Sequence, residues 1–214
     1  MTQSLYIHIP FCKQKCNYCD FVSYAGKEEL IDEYVNKIIE QIHHLTFEIG
    51  HLSLRTVFFG GGTPTLLSPR HFDKIINTII CHWSFDICHS EITVECNPGT
   101  ASLDKLKALR SLGINRLSIG AQSFNDQHLK TLGRIHSSQD IHIMYDNARS
   151  AGFDNINLDL IFALPNQTLA EWQKDLETAL HLAPFHLSIY SLQIEEGTLF
   201  HRITNNQIPI TKRR

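Results

Sequence analysis

The sequence predicts an α/β protein, an open or partial (β/α)6 barrel of the TIM type, on three observations. Short β-branched or apolar runs alternate with longer amphipathic stretches along almost the whole chain, as repeated strand-helix units of a parallel sheet do. Six such units fall short of the eight that close a barrel. No strand runs into a dinucleotide fingerprint, which separates the chain from a Rossmann sheet.

Taken in order, the strands are expected at Leu5 to Ile9, Thr56 to Phe59, Glu91 to Cys96, Arg116 to Gly120, Ile156 to Phe162 and Leu187 to Leu192. Between the first two, Leu30, Ile31, Tyr34, Val35, Ile38, Ile39, Ile42 and Leu45 recur at helical spacing and make one apolar face, with Gly50 as the stop. The next helix opens on Ser68 as N-cap and Pro69 at its first position. It turns Phe72, Ile75, Ile76, Ile79, Ile80 and Trp83 inward. Shorter helices follow at Ser102 to Leu112, closed by Gly113, and at Asn125 to Leu132, closed by Gly133. Another runs from Ser138 to Ala151. The last begins at Thr168, where Thr168 and Glu171 form a capping box. From Gly197 onward the chain is polar and without clear periodicity.

Composition removes whole classes of function. With 19 basic and 22 acidic residues, a net charge of −3 and 43% hydrophobic residues, the 214-residue chain has the make-up of a globular domain. It lacks the basic excess of a nonspecific nucleic-acid binder. No apolar run reaches the roughly 20 residues of a transmembrane helix, and the chain starts directly in a strand pattern without a basic region or cleavage site. A cytoplasmic location is the expectation. Of six cysteines, Cys81, Cys88 and Cys96 are scattered and read as buried small hydrophobes, whereas Cys12, Cys16 and Cys19 fall within eight residues. In a reducing compartment such a cluster points to metal ligation.

Cys12-x-x-x-Cys16-x-x-Cys19 sits in the loop after the first strand, where three thiolates can be aimed at one point. A 4Fe-4S cluster on three cysteines keeps one iron open to a ligand. The alternative is a Cys3His zinc site with His8 as fourth ligand. The other motifs also fall at or just past strand ends, the rim on which a β/α barrel gathers its active site. Gly60, Gly61 and Gly62 follow the second strand, and a phosphate loop is excluded there because no Gly-Lys-Ser/Thr follows. Strand alternation sends Glu95 into the barrel and Cys96 outward. Asp159 is a lone acid in the apolar run Leu158 to Leu164 and needs a partner if it is buried. His8 reads as a packing histidine; His43, His44, His51 and the other histidines read as helix-surface residues.

The cysteine spacing, with Tyr18 as the aromatic in its last gap, resembles the radical S-adenosylmethionine (SAM) superfamily. The segments YIHIPFC (6–12), GGGTPT (60–65), ECNPGT (95–100), GINRLSIGAQSF (113–124), LGRIH (132–136), NLDLIFALPNQT (157–168) and LSIYSLQIEEGT (187–198) resemble its oxygen-independent coproporphyrinogen III oxidase and heme chaperone group. The resemblance implies a partial barrel of the radical SAM type. It implies a 4Fe-4S cluster on Cys12, Cys16 and Cys19 whose open iron is chelated by the amino and carboxylate groups of SAM, and an electron from the cluster that cleaves the sulfonium to a 5′-deoxyadenosyl radical. It assigns Tyr6, Tyr18, Gly61, Gly62, Thr63, Glu95, Gln122, Arg134 and Asp159 to SAM: the glycines at its amino end, Arg134 at its carboxylate.

Within that group, the oxidases resemble one another in a further cysteine two residues after the third ligand. Here Asp20 and Phe21 follow Cys19, the ending associated with the chaperone branch. The implied partners are SAM, heme or a porphyrin, and a heme-acceptor protein. Both branches continue into a C-terminal domain that carries the chaperones' heme-binding motif. Residues 1–196 are therefore expected to form the radical SAM core and 197–214 the start of a truncated extension.

Overall fold

The structure is a computed structural model that describes residues 3–50 and 53–207. In chain order the elements are β1 (Gln3–Ile9), β2 (Phe11–Cys12), β3 (Tyr24–Ala25), α1 (Ile31–Ile49), β4 (Ser53–Gly61), α2 (Pro69–His82), β5 (Ser84–Phe85), β6 (Glu91–Cys96), α3 (Leu103–Ser111), β7 (Arg116–Gln122), α4 (Asp126–Thr131), α5 (Ser138–Ser150), β8 (Asn155–Phe162), α6 (Leu169–His181), β9 (His186–Ser191) and α7 (Leu199–Gln207). Each of the six anticipated strands is present. The main sheet runs β1-β4-β6-β7-β8-β9, all parallel, with the short β5 added beside β4.

Every long strand lies next to its predecessor. Right-handed crossovers then place successive helices on one face of the sheet and leave the other free, as in a barrel and unlike a doubly wound sheet. β1 and β9 are the two edges and do not pair, so the barrel is partial.

Strand alternation sorts the two faces. Ile7 and Ile9, Val57 and Phe59, Ile92 and Val94, Leu117 and Ile119, Ile156 and Leu158 are buried under the helices in one continuous core. Each such side chain contributes about 1.5–3 kcal/mol by leaving water. The intervening residues, among them Thr93, Ser118, Asn157 and Asp159, give the inner face a polar lining. No helix among the described residues is long and apolar enough to cross a membrane.

Local signals account for the helix ends. Gly50, at φ 74°, closes α1 with its N–H on the Thr46 carbonyl at 3.1 Å. Ser68 and His71 cap α2 reciprocally, as Thr168 and Glu171 cap α6. Some expectations need correction. The segment after Gly197 is not structureless: it forms α7, while Ile208, Pro209, Ile210 and the basic terminus, like His51, lie outside the described residues. Ile80 is exposed rather than inward, because α2 buries a narrower stripe than its apolar content suggests, and Leu30 is exposed because it precedes α1 as its N-cap instead of joining its apolar face. Cys81 and Cys88 are exposed, and only Cys96 of the scattered three is buried. His43 and His44 are exposed as expected, but His128 and His136 are buried.

Candidate functional site

A cavity of about 730 Å³ opens on the inner face at the C-terminal ends of the strands. All the residues assigned to the cluster or to SAM line it except Tyr6 and Thr63, while Gly60 and the alternative ligand His8 do not.

The cysteine loop forms one wall. Its base is closed by the pairing of β2 with β3 and by the Tyr24 N–H, which donates to the Pro10 carbonyl at 2.7 Å. Cys12 ends β2 and is buried; Cys16 and Cys19 are half-buried, joined by a turn in which the Cys19 N–H donates to the Cys16 carbonyl at 3.2 Å. Burial raises the Cys19 thiol above its ordinary pKa. Among the described residues, no three of His, Cys, Asp or Glu converge on a single ion. His8 Nε2 already sits 2.8 Å from the Val22 carbonyl and Nδ1 3.3 Å from the Tyr6 hydroxyl. The Cys3His zinc alternative therefore has no geometric support among the described residues.

The glycine segment ending β4 grips this loop from below. Gly62 N–H donates to Ile9 O at 2.8 Å and Thr63 N–H to Phe11 O at 2.7 Å. A Cβ on Gly62 would meet the Phe11 oxygen at 2.6 Å and Cys12 Sγ at 3.0 Å, so glycine is required for the approach of the chain itself. The Gly61 N–H donates to Glu95 Oε2 at 2.9 Å. All three backbone donors are thus used internally, and the segment cannot cradle an anion. Thr63 lies beneath the cavity, its hydroxyl 3.7 Å from Cys12 Sγ and accepting from Asn97 Nδ2 at 2.8 Å.

Glu95 faces the cavity as strand alternation requires. Burial raises its pKa, and the Gly61 N–H works against that rise. Asp159 has the partners its setting demands: Ser118 Oγ donates at 3.0 Å and Asn157 Nδ2 at 2.8 Å, yet burial still raises its pKa. Arg134 donates from Nη1 to Cys16 Sγ at 3.5 Å, and from Nη2 to Gly120 O at 2.8 Å and to Asn97 Oδ1. Beside it, burial and then the guanidinium charge push the His136 imidazole down to about 4, which keeps that ring neutral at pH 7. Tyr6 stands apart on edge strand β1, 56% exposed and stacked on Phe58.

Gln122 occupies an irregularity in the β7–β8 register, with φ 68°. The turn that holds it there is fixed from α6. Asp175, 2% exposed, accepts from Ser123 Oγ and from the Phe124 N–H, each at 2.7 Å. Sequence reasoning missed Asp175 and also Asn97, which bridges Arg134 to Thr63. It missed Ser118 and Asn157 too, although their period-two placement on the face of Asp159 was a usable signal.

The arrangement offers three soft ligands, two acids and a guanidinium around one roofless cavity, suited to a metal cluster beside a zwitterionic ligand. Comparison with known proteins agrees with this chemistry. The sequence profile of the Radical SAM superfamily matches residues 6–179. The chain is 42% identical over 203 residues to the heme chaperone HemW of Bacillus subtilis, covering 94% of this chain and 53% of that protein. It is 42% identical over 198 residues to HemW of Escherichia coli, covering 92% and 52%. The structure of coproporphyrinogen III oxidase (HemN) from Escherichia coli superposes with a TM-score of 0.85 at 29% identity, over 97% of this chain and 47% of that one. The chain spans about half the length of these relatives. Three thiols on a partial-barrel rim, in a chain whose profile match extends from β1 into α6, identify it as a member of the radical SAM superfamily.

Proposed function

We propose that this chain is the radical SAM part of a heme-delivery protein of the HemW kind, working in the cytoplasm with heme as cargo for an acceptor protein. In this reading residues 1–196 make the core and 197–214 begin the region that follows. The observation that carries it is the opening of Cys12, Cys16 and Cys19 on the same cavity as Glu95, Gln122 and Asp159. The 42% identity to HemW supports the choice of branch.

Cys12, Cys16 and Cys19 would hold a 4Fe-4S cluster, and the donor set fits one: three thiols, one backed by the Thr63 hydroxyl and one by the Arg134 guanidinium, both of which stabilise negative sulfur. Bound there, a cluster supplies an electron to the sulfonium of SAM. The chain's own residues orient that ligand. Glu95 offers a carboxylate to a cationic amino group, and Gln122 projects from its irregular turn toward the same space. Beyond those spent on Cys16, Asn97, Gly120 and Tyr18, the Arg134 guanidinium keeps a donor for a carboxylate. Gly61 and Gly62 let β4 pack closely against His8 and the cysteine loop and present bare backbone on that side of the cavity. Tyr18 backs the loop, and Tyr6 stands at the open edge with its ring on Phe58.

A second reading, oxygen-independent coproporphyrinogen III oxidase, is favoured by the structural likeness to HemN. Phe21, where the oxidases carry a further cysteine, speaks against it. Anaerobic incubation with SAM, dithionite and coproporphyrinogen III, followed by chromatography of the porphyrins, separates the two. The delivery reading expects the coproporphyrinogen to persist, and expects a chain extended to its relatives' length to pass heme to an apo-hemoprotein, followed at the Soret band. Protoporphyrin accumulating over many turnovers would assign the chain to the oxidases.

A further inference from the structure

The cysteine loop is tied to two distant parts of the chain through Asn17. Its N–H donates to the Leu132 carbonyl and its side-chain Nδ2 to the Thr131 carbonyl, both at 2.9 Å, at the C-terminal end of α4. Its own carbonyl accepts the N–H of Phe200 at 3.0 Å, at the start of α7. Gln14 adds a fourth tie, donating to the Gly133 carbonyl at 2.9 Å. Gly133, at φ 74°, leaves no room for a side chain, since a Cβ there would stand 2.7 Å from Asn17 Oδ1.

Beneath these hydrogen bonds lies a small apolar cluster separate from the main core. It comprises Leu132, Ile161, Leu164 and Phe200, with Tyr18 and Leu192 packed against it. Phe200 is 7% exposed, whereas Leu199, Arg202 and Ile203 of the same helix are exposed. Thr198 fixes the entry to the helix: its hydroxyl donates to the Glu195 carbonyl at 2.6 Å and accepts the His201 N–H at 3.2 Å. A segment without a recognisable pattern in the sequence thus supplies both a backbone donor to the loop and a ring to the apolar cluster against which Tyr18, between Cys16 and Cys19, packs.

We infer that α7 is a positioning element of the cysteine loop: the Phe200 ring and N–H, acting through Tyr18 and Asn17, set the spacing of Cys16 and Cys19. Metal-cluster retention then depends on a helix 180 residues from the motif in sequence, outside the core expected from the motifs. The physical reason is entropic. An 11-residue loop (13–23) closed only by a two-residue ladder would sample many sulfur positions, and each added anchor removes some of them. The inference rests on the cluster assignment made above, but the loop contacts stand independently of it.

The test uses the full 214-residue chain with Phe200→Ala, Phe200→Leu and, as a control of comparable core truncation on the opposite side of the sheet, Leu106→Ala in α3. Hydrogen exchange of the apo chain reads the loop directly, at the Asn17 and Cys19 amides. Release of iron to a chelator from anaerobically reconstituted protein reads cluster retention. Phe200→Ala is expected to raise exchange at both amides and to speed iron release about tenfold. Phe200→Leu should restore most of the difference, and Leu106→Ala should change neither. Exchange at Asn17 and Cys19 that matches wild type in Phe200→Ala, or that rises equally in Leu106→Ala, would overturn the inference. Failure of the wild type to take up iron and sulfide would overturn the cluster assignment instead, while the exchange data still decide the role of α7.

Discussion

Replacing Asp175 by alanine should damage both stability and ligand binding from a position outside the cavity lining. The carboxylate is 2% exposed and accepts two bonds of 2.7 Å, from Ser123 Oγ and the Phe124 N–H. Hydrogen bonds to a charged acceptor are worth about 1.5–3 kcal/mol each, and truncation leaves both donors buried without partners. Part of this is offset, because burial raises the Asp175 pKa and its ionised form already bears a desolvation penalty that truncation relieves. A net loss of about 3 kcal/mol follows, equivalent to a fall in Tm of about 6–12 °C for a chain of this size. Asp175→Asn keeps an oxygen for the Phe124 N–H and should lose about 1 kcal/mol. The turn sets Gln122 at φ 68°, a conformation that costs about 1 kcal/mol outside glycine and persists only where its surroundings enforce it. SAM affinity of the reconstituted Asp175→Ala protein, measured by calorimetry well below its Tm, should therefore fall about tenfold. Melting within 2 °C of wild type would refute the stability reasoning. Unchanged SAM affinity would refute the buttressing of Gln122.

Three further outcomes are expected. Gly133→Ala forces a side chain into a position at φ 74° and against Asn17, so it should lose at least 1 kcal/mol in urea unfolding and speed release of reconstituted iron; wild-type values for both would contradict the close approach. Glu95 has a folded pKa raised above its unfolded one, so stability rises as pH falls from neutrality toward the ordinary carboxylate range, while SAM affinity falls over the same window as the charge is lost. Glu95→Gln should flatten both profiles, and a SAM affinity that keeps its full pH dependence in that variant would exclude Glu95. Thr168→Ala removes the side chain that accepts the Glu171 N–H at 3.2 Å and donates to Glu171 Oε2 at 2.9 Å, and thermal unfolding should show a loss of about 1 kcal/mol.

What the sequence revealed follows from the range of the forces involved. Helix starts at Ser68, Ser102 and Thr168 were legible because a cap is satisfied within three residues. The strands were legible because alternation is local and the helix-bearing face is uniformly apolar. The cysteine loop and the strand-end positions of Glu95 and Asp159 could be placed on one rim because parallel topology brings all strand ends together. Asp175 was not legible. It lies between Lys174 and Leu176 on an amphipathic helix, and its burial depends on a turn some 50 residues earlier. Asn97 was not legible either, since its partners Thr63 and Arg134 arrive from other loops. Among its described side chains α7 carries one deeply buried apolar residue, Phe200, too little for a periodicity. The exposed Cys81 and Cys88 show the limit of residue-type averages: Cys81 follows the exposed Ile80 near the end of α2, so being a cysteine on an apolar helix does not place it in the core.

The central claim is that Cys12, Cys16 and Cys19 hold a 4Fe-4S cluster whose open iron meets SAM in the cavity lined by Glu95, Gln122 and Asp159. Anaerobic reconstitution, followed by iron, sulfide and zinc analysis and by electron paramagnetic resonance of the reduced protein with and without SAM, tests it most directly. The expected result is about four iron and four sulfide per chain, a spectrum that shifts when SAM is added, and loss of the cluster in Cys16→Ser. Stoichiometric zinc without sulfide, or a reduced spectrum indifferent to SAM, would contradict it.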